Sequence, residues 1–310
     1  YKNDGLPSDY GKGTRQSNLR SNFDDGVTIE FWLDQDSNLD VDSYTDFGKK
    51  KVVFDMWNGA PSGSADYGRI TLALEAASTS MAADRYFILT CQSGTTAWDA
   101  GATNHSASGF FETKISDNFT TAEFQEWKHY AVSLKTSGSY LVSKFYVTGG
   151  IQKTISASFA TPAGGAASLG EINPKPSSQV DGSNWKAGLR AHIGALITAP
   201  SGAAVIASAA PSAFVGAGRL SGSLDEFRFW KAERNARDIG TNYFTQIRGG
   251  VNTDISNTTL GVYYKFNEGI TGNNSVDKSV LDYAGRVTNG VWTGYTAGAR
   301  NIGSAIVSAS

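Results

Sequence analysis

The sequence predicts an all-β chain, a two-sheet antiparallel jelly-roll sandwich with one short helix in its C-terminal half. Three observations carry that prediction. Apolar residues recur with period two in many short runs, the pattern of strands that turn one face to a core. Clusters of Gly, Ser, Asn and Asp separate the runs, as turns do in a sandwich. Glycine makes up 35 of the 310 residues and proline only 7. Against a usual glycine share of about 7%, this favours tight turns and bulges over proline-rich linkers.

In chain order, Val27, Ile29, Phe31 and Leu33 alternate with Thr28, Glu30 and Trp32 in the first predicted strand. Lys51–Trp57 follows, then a run in which Ile70, Leu72 and Leu74 share a face, then Tyr86–Cys91. Tyr130, Val132 and Leu134 repeat the pattern, as do Phe145 and Val147 within Lys144–Val147. Ala191–Thr198 reads as a further short strand. Leu224–Trp230 sets Leu224, Glu226, Arg228 and Trp230 against Asp225, Phe227 and Phe229, with the two phenylalanines facing inward. Leu260–Phe266 places Val262, Tyr264 and Phe266 on one side. The helix is expected over Glu233–Ile247, where Ala236, Ile239, Tyr243 and Ile247 fall at helical spacing. Thr120 and Glu123 have capping-box spacing for a short turn over Thr121–Gln125.

The domain expectation is a lead-in over 1–22, the sandwich over 23–294 and an extension over 295–310. Within the sandwich, 156–187 reads as an insertion loop, small-residue-rich and carrying Pro162, Pro174 and Pro176. The chain opens on Tyr1 without a basic-then-apolar leader and reads as part of a longer or processed polypeptide. The uncharged stretch from Ile193 to Gly218 is mostly Ala, Gly and Ser and is broken by Pro200 and Pro211. It therefore reads as a strand and a loop, not a membrane span.

Charge narrows the function classes. Twenty-nine acidic and 27 basic residues leave a net charge of −2. No clustered basic footprint for nucleic acid is present. Lys49-Lys50-Lys51 is the one basic cluster, and it reads as a solvated turn ahead of a strand. The single cysteine, Cys91, sits in an apolar strand and is expected to be a buried, inert thiol.

The sequence lacks the local catalytic patterns of this fold class, and the chain is expected not to be an enzyme. A sandwich glycosidase needs two carboxylates on one face at short range, and no Glu-x-Asp-x-(x)-Glu run occurs. Asp225 and Glu226 are adjacent, so in a regular strand they point to opposite faces. The Gly-x-Ser-x-Gly elbow and the phosphate-binding loop are absent, and His105, His129 and His192 are isolated, which disfavours zinc.

Several segments together resemble a known family. They are Thr28–Trp32 (TIEFW), Glu126–Leu134 (EWKHYAVSL) followed by Lys144–Val147, and Gly222–Trp230 (GSLDEFRFW) followed by Arg234–Ile239 (RNARDI). Leu260–Gly269 (LGVYYKFNEG) and Leu281–Gly285 (LDYAG) complete the set. In this order they resemble the laminin-G-like, pentraxin-like branch of the concanavalin A-like jelly rolls, over most of Phe23–Gly294. Phe54–Leu74 and Asn252–Phe266 further resemble such modules inside large virion proteins of marine tailed phages.

The resemblance implies a lectin-like binding or display domain, on a virion or extracellular surface, that contacts glycans or a host surface receptor. It also implies one structural Ca2+, for which Asp225, Glu268 and Asp282 are the candidate ligands. The alternative is that Asp225 and Glu268 pair with arginines or cap turns. A sugar platform needs a tryptophan among amide and carboxylate partners. Candidates are Trp98 with Asp99 and Asn104, Trp185 with Asn184 and Asp181, and Trp57 with Asn58. Each tryptophan either forms such a platform or pins its loop to the sandwich. Trp32, Trp127 and Trp230 are expected to be fold determinants. The competing function is purely structural, with the sandwich mediating assembly with other virion subunits. A polysaccharide-degrading enzyme is the third reading.

Overall fold

The computed structural model describes residues 18–19, 23–35, 50–57, 68–77, 84–93, 106–107, 110–137, 140–158, 190–197, 218–247, 259–284, 288–293 and 304–306. Its strands are β1 (Val27–Asp34), β2 (Lys50–Trp57), β3 (Gly68–Ala76), β4 (Arg85–Ser93), β5 (Ser106–Ala107), β6 (Phe110–Lys114) and β7 (Lys128–Ser137). They continue with β8 (Tyr140–Val147), β9 (Gly150–Ser158), β10 (Arg190–Ile193), β11 (Ser223–Trp230), β12 (Leu260–Tyr264), β13 (Ser279–Val280) and β14 (Gly290–Val291). The helices are α1 (Thr121–Phe124), α2 (Ala236–Asn242) and α3 (Asn274–Asp277).

Two six-stranded antiparallel sheets form the sandwich, in the orders β12-β11-β1-β7-β8-β9 and β10-β2-β3-β4-β6-β5. The chain crosses between them repeatedly: β1 in the first sheet, β2–β6 in the second, β7–β9 in the first, β10 in the second, β11–β12 in the first. This shuttling gives the predicted jelly roll.

Alternation explains the core. Val27, Ile29, Phe31 and Leu33 of β1 are all buried and meet Phe54, Leu72, Phe87 and Leu89 from the facing sheet. Phe227 and Phe229 lie 5.4 and 5.8 Å, centroid to centroid, from Phe54. Each such side chain contributes roughly 1.5–3 kcal/mol on burial. Cys91 is buried in the same core, and burial pushes its thiol far above the ordinary range. The Thr120–Glu123 capping box also forms as expected.

Five readings need correction. First, β11 carries a β-bulge: Glu30 pairs with Arg228 but Trp32 pairs with Asp225, leaving two residues of β11 opposite one of β1. Glu226 takes up the extra residue at φ +52°. The bulge shifts the parity, so Leu224 turns to the core side and Asp225 and Glu226 share the outer side. Second, the helix is shorter than expected, spanning Ala236–Asn242. It lies on the outer face of the first sheet, where Ile239 packs with Ala131 and Tyr146.

Third, Lys50 and Lys51 are buried strand residues, not a solvated turn, and Lys50 pairs with Glu112 at 2.9 Å. Fourth, β9 was missed. Its signal is the two-residue turn Thr148–Gly149, where both residues have positive φ and close a tight hairpin from β8. β9 takes Ser156–Ser158 from the expected insertion loop. Fifth, Trp127 is 38% exposed, whereas Trp230 is buried.

Candidate binding face on the second sheet

The outer face of the second sheet is a ladder of polar rows. Pairing across β10, β2, β3 and β4 aligns Arg190, Trp57, Arg69 and Gln92 in one row. The next row, extended into β6, is His192, Asp55, Thr71, Thr90 and Glu112. Side chains alternate along each strand, so both rows face away from the core. On β10 the alternation is visible in exposure: Arg190 and His192 are exposed, while Ala191 and Ile193 pack toward the core.

The middle of this face is closed. Asp55 is fully buried and accepts four hydrogen bonds. Arg69 supplies two through Nε (2.8 Å) and NH2 (2.6 Å), Thr71 Oγ1 one (2.8 Å) and the Ile197 N–H one (2.9 Å). A buried carboxylate and guanidinium tolerate removal from water only when paired and hydrogen-bonded in this way. Leu196 then packs over Val52, Ala73 and Ile88. Glu112 is held by Lys50 and by Thr90, at 2.9 and 2.8 Å.

The β10 margin is open. Trp57 is half-buried at the end of β2, and the Arg190 guanidinium carbon lies over its ring, 5.8 Å from the centroid. That contact is within cation–π range. It orients both planar groups at the solvent boundary without burying the charge.

Of the sequence-derived sugar residues, Trp57 is placed on this margin. Trp98, Asp99, Asn104, Asp181, Asn184 and Trp185, with Asn58, lie outside the described residues. Arg190 and His192 were not singled out from sequence. The available signal was the Arg-Ala-His-Ile alternation, short enough to pass as part of a longer apolar run.

The three candidate calcium ligands each accept backbone N–H groups. Asp282 accepts the N–H groups of Tyr263 and Ala284 on Oδ1 and of Thr288 on Oδ2. Glu268 accepts the Leu281 N–H, and Asp225 accepts the Ala305 N–H. Among the described residues, no group of three or more His, Cys, Asp or Glu is placed to hold a metal.

A second charged cluster lies on the outer face of the first sheet. Arg228 NH2 is 3.1 Å from Glu226, and Arg228 NH1 is 3.6 Å from Glu30. Tyr263 donates its hydroxyl to Glu226. His129 Nε2 lies 3.4 Å from Glu30. Burial works to raise the Glu30 carboxyl, but His129 and the Arg234 and Arg228 guanidiniums hold it below its ordinary value. Burial lowers His129 despite Glu30. All but Arg234 are at most 1% exposed. The Asp225 and Glu226 carboxylates thus share a side but face no open surface. Among the described residues, no helix is long and apolar enough to cross a membrane.

No protein-family model and no curated protein matches the chain. Among solved structures, it is similar to a candidate carbohydrate-binding protein from Bacteroides ovatus, at 14% identity and a TM-score of 0.42. That match covers 86% of this chain, which spans about half (52%) of the length of the Bacteroides protein. It is also similar to the heptameric SAP-like pentraxin of Limulus polyphemus, at 11% identity and a TM-score of 0.36, covering 70% of this chain and 69% of that one. Likenesses this distant carry no argument about what the chain binds.

Proposed function

We propose that this sandwich is a non-catalytic, lectin-like module that binds glycans at the open β10–β2 margin. The observation that carries the reading is Trp57, half-buried at the sheet end with the exposed Arg190 against its ring and the exposed His192 in the next row. An aromatic surface beside convergent polar groups is what a sugar requires, because a sugar ring offers one apolar face and a rim of hydroxyls. The margin is held in place from beneath: Arg69 and Thr71 of β3 are tied to Asp55 of β2, which fixes the strand end that carries Trp57. The virion or cell-surface setting, and contact with a host receptor, extend this reading from the segments that resemble phage modules.

The test is a glycan array with wild type, Trp57→Ala and the double variant Trp98→Ala/Trp185→Ala, each with and without calcium. Saccharide binding that disappears in Trp57→Ala supports the margin as the site. Binding lost only in the double variant moves the site to those loops. Binding that needs calcium restores a cation to the account. Silence throughout rejects the lectin reading in favour of a structural virion component.

A further inference from the structure

We infer that the ligand of this margin is an anionic glycan, one bearing a carboxylate or sulfate, and that Arg190 reads its charge. The inference rests on the glycan-binding reading above and goes further by naming the sugar class. It starts from the charges on the outer face of the second sheet. Three described acids lie there: Asp55, Glu75 and Glu112. Asp55 is committed to Arg69 at 2.6 Å, and Glu112 to Lys50 at 2.9 Å. Glu75 sits at the far end of β3 from Trp57 and is hydrogen-bonded to Tyr86. Asp55 and Glu112 are therefore committed to cations and Glu75 lies away from the margin, so among the described residues no uncommitted carboxylate stands there to repel an anion.

Arg190 is the cation at the margin itself; Lys114, across the sheet on β6, donates to Asn118. Arg190 is exposed, and its one described partner is the Trp57 ring. The guanidinium edge is a planar fork matched to two oxygens of a carboxylate or sulfate, and at 5.8 Å from the indole centroid the group stays exposed. The contact also lowers the rotamer entropy lost when an anion arrives. His192, two residues along β10 and exposed on the same face, adds a second nitrogen-bearing group beside it. The core-facing Ala191 and Ile193 hold both side chains outward. The arrangement suits a sugar whose ring rests on Trp57 while its acidic substituent meets Arg190. A neutral sugar would leave the Arg190 fork unused.

The experiment measures the affinity of the intact chain for three oligosaccharide sets of equal length: neutral glucans, uronic-acid oligomers and sulfated galactans. The variants are Arg190→Ala, Arg190→Lys and His192→Ala, with circular dichroism to confirm folding. The inference predicts a preference for one or both acidic sets, and the comparison of the two identifies carboxylate or sulfate as the group read. Affinity should fall on the order of tenfold in Arg190→Ala, less in Arg190→Lys and least in His192→Ala, and binding should weaken with added salt. Equal or stronger binding of the neutral set, lost in Trp57→Ala but unchanged in Arg190→Ala, overturns the inference while the glycan reading stands. No binding to any set overturns both.

Discussion

The outer faces of the two sheets start from similar material and end in opposite states. Each places charged residues at the alternate positions that a simple sandwich would leave in water. On the first sheet, Glu30, Glu226 and Arg228 are sealed beneath the segment that carries α2, which anchors through Ile239 and Tyr243. On the second, the centre is sealed by Leu196 and Ile197, but the β10 margin keeps Arg190 and His192 exposed beside Trp57. What separates a structural charge network from a candidate binding surface is therefore the chain laid over it. The residues themselves do not distinguish the two cases. The same arginine type locks one face and remains available on the other.

The largest effect is expected on the covered face. Arg228→Met leaves Glu30 and Glu226 buried without their shared cation, so stability should fall by about 3–5 kcal/mol, read by chemical denaturation. A near-neutral result would show that water reaches this face.

Gly26 tests the covering segment itself. It adopts φ +88°, and a Cβ there would stand 2.6 Å from the Glu233 Cβ. Gly26→Ala should cost roughly 1–3 kcal/mol, the range for overpacking, and loosen the segment leading into α2. An unchanged denaturation midpoint would mean that the segment is not clamped to β1.

A loss of stability as pH rises is the next effect in size. Burial raises the Asp225 carboxyl to about 6 from an ordinary 3.8, with the Ala305 N–H opposing the shift. A raised carboxyl binds its proton more tightly when folded. Its contribution to stability is thus fully present below pH 3.8 and is lost as pH rises through about 6. Thermal melts between pH 4 and 7.5 should show this slope in wild type and lose it in Asp225→Asn. An identical slope in both would remove Asp225 as its source.

The smallest stability effect belongs to the open margin. Arg190→Ala should change stability by less than about 0.5 kcal/mol, as exposed substitutions do. A loss of several times that would turn Arg190 into another structural residue and erase the contrast between the faces.

Much of the sandwich was legible because its signal is local. Val27, Ile29, Phe31 and Leu33 announce one buried face by parity alone, and Thr120 with Glu123 announces a cap by spacing alone. The bulge at Glu226 was not legible. One extra residue in a strand leaves no compositional mark, yet it reversed the facing of Leu224 and Asp225. The burial of Lys50 was hidden because its partner Glu112 lies 62 residues away. The candidate margin was half legible. Trp57 stood out as a tryptophan at a strand end, whereas Arg190 gains meaning only when β10 docks beside β2 and brings it to the indole.

The most direct test of the central claim is a titration of the strongest array saccharide into wild type, Trp57→Ala and Trp127→Ala. Trp127 is also partly exposed but precedes β7 in the first sheet, so it controls for the loss of any surface indole. The account predicts that Trp57→Ala abolishes binding while Trp127→Ala binds as wild type does. Full binding by Trp57→Ala would contradict it.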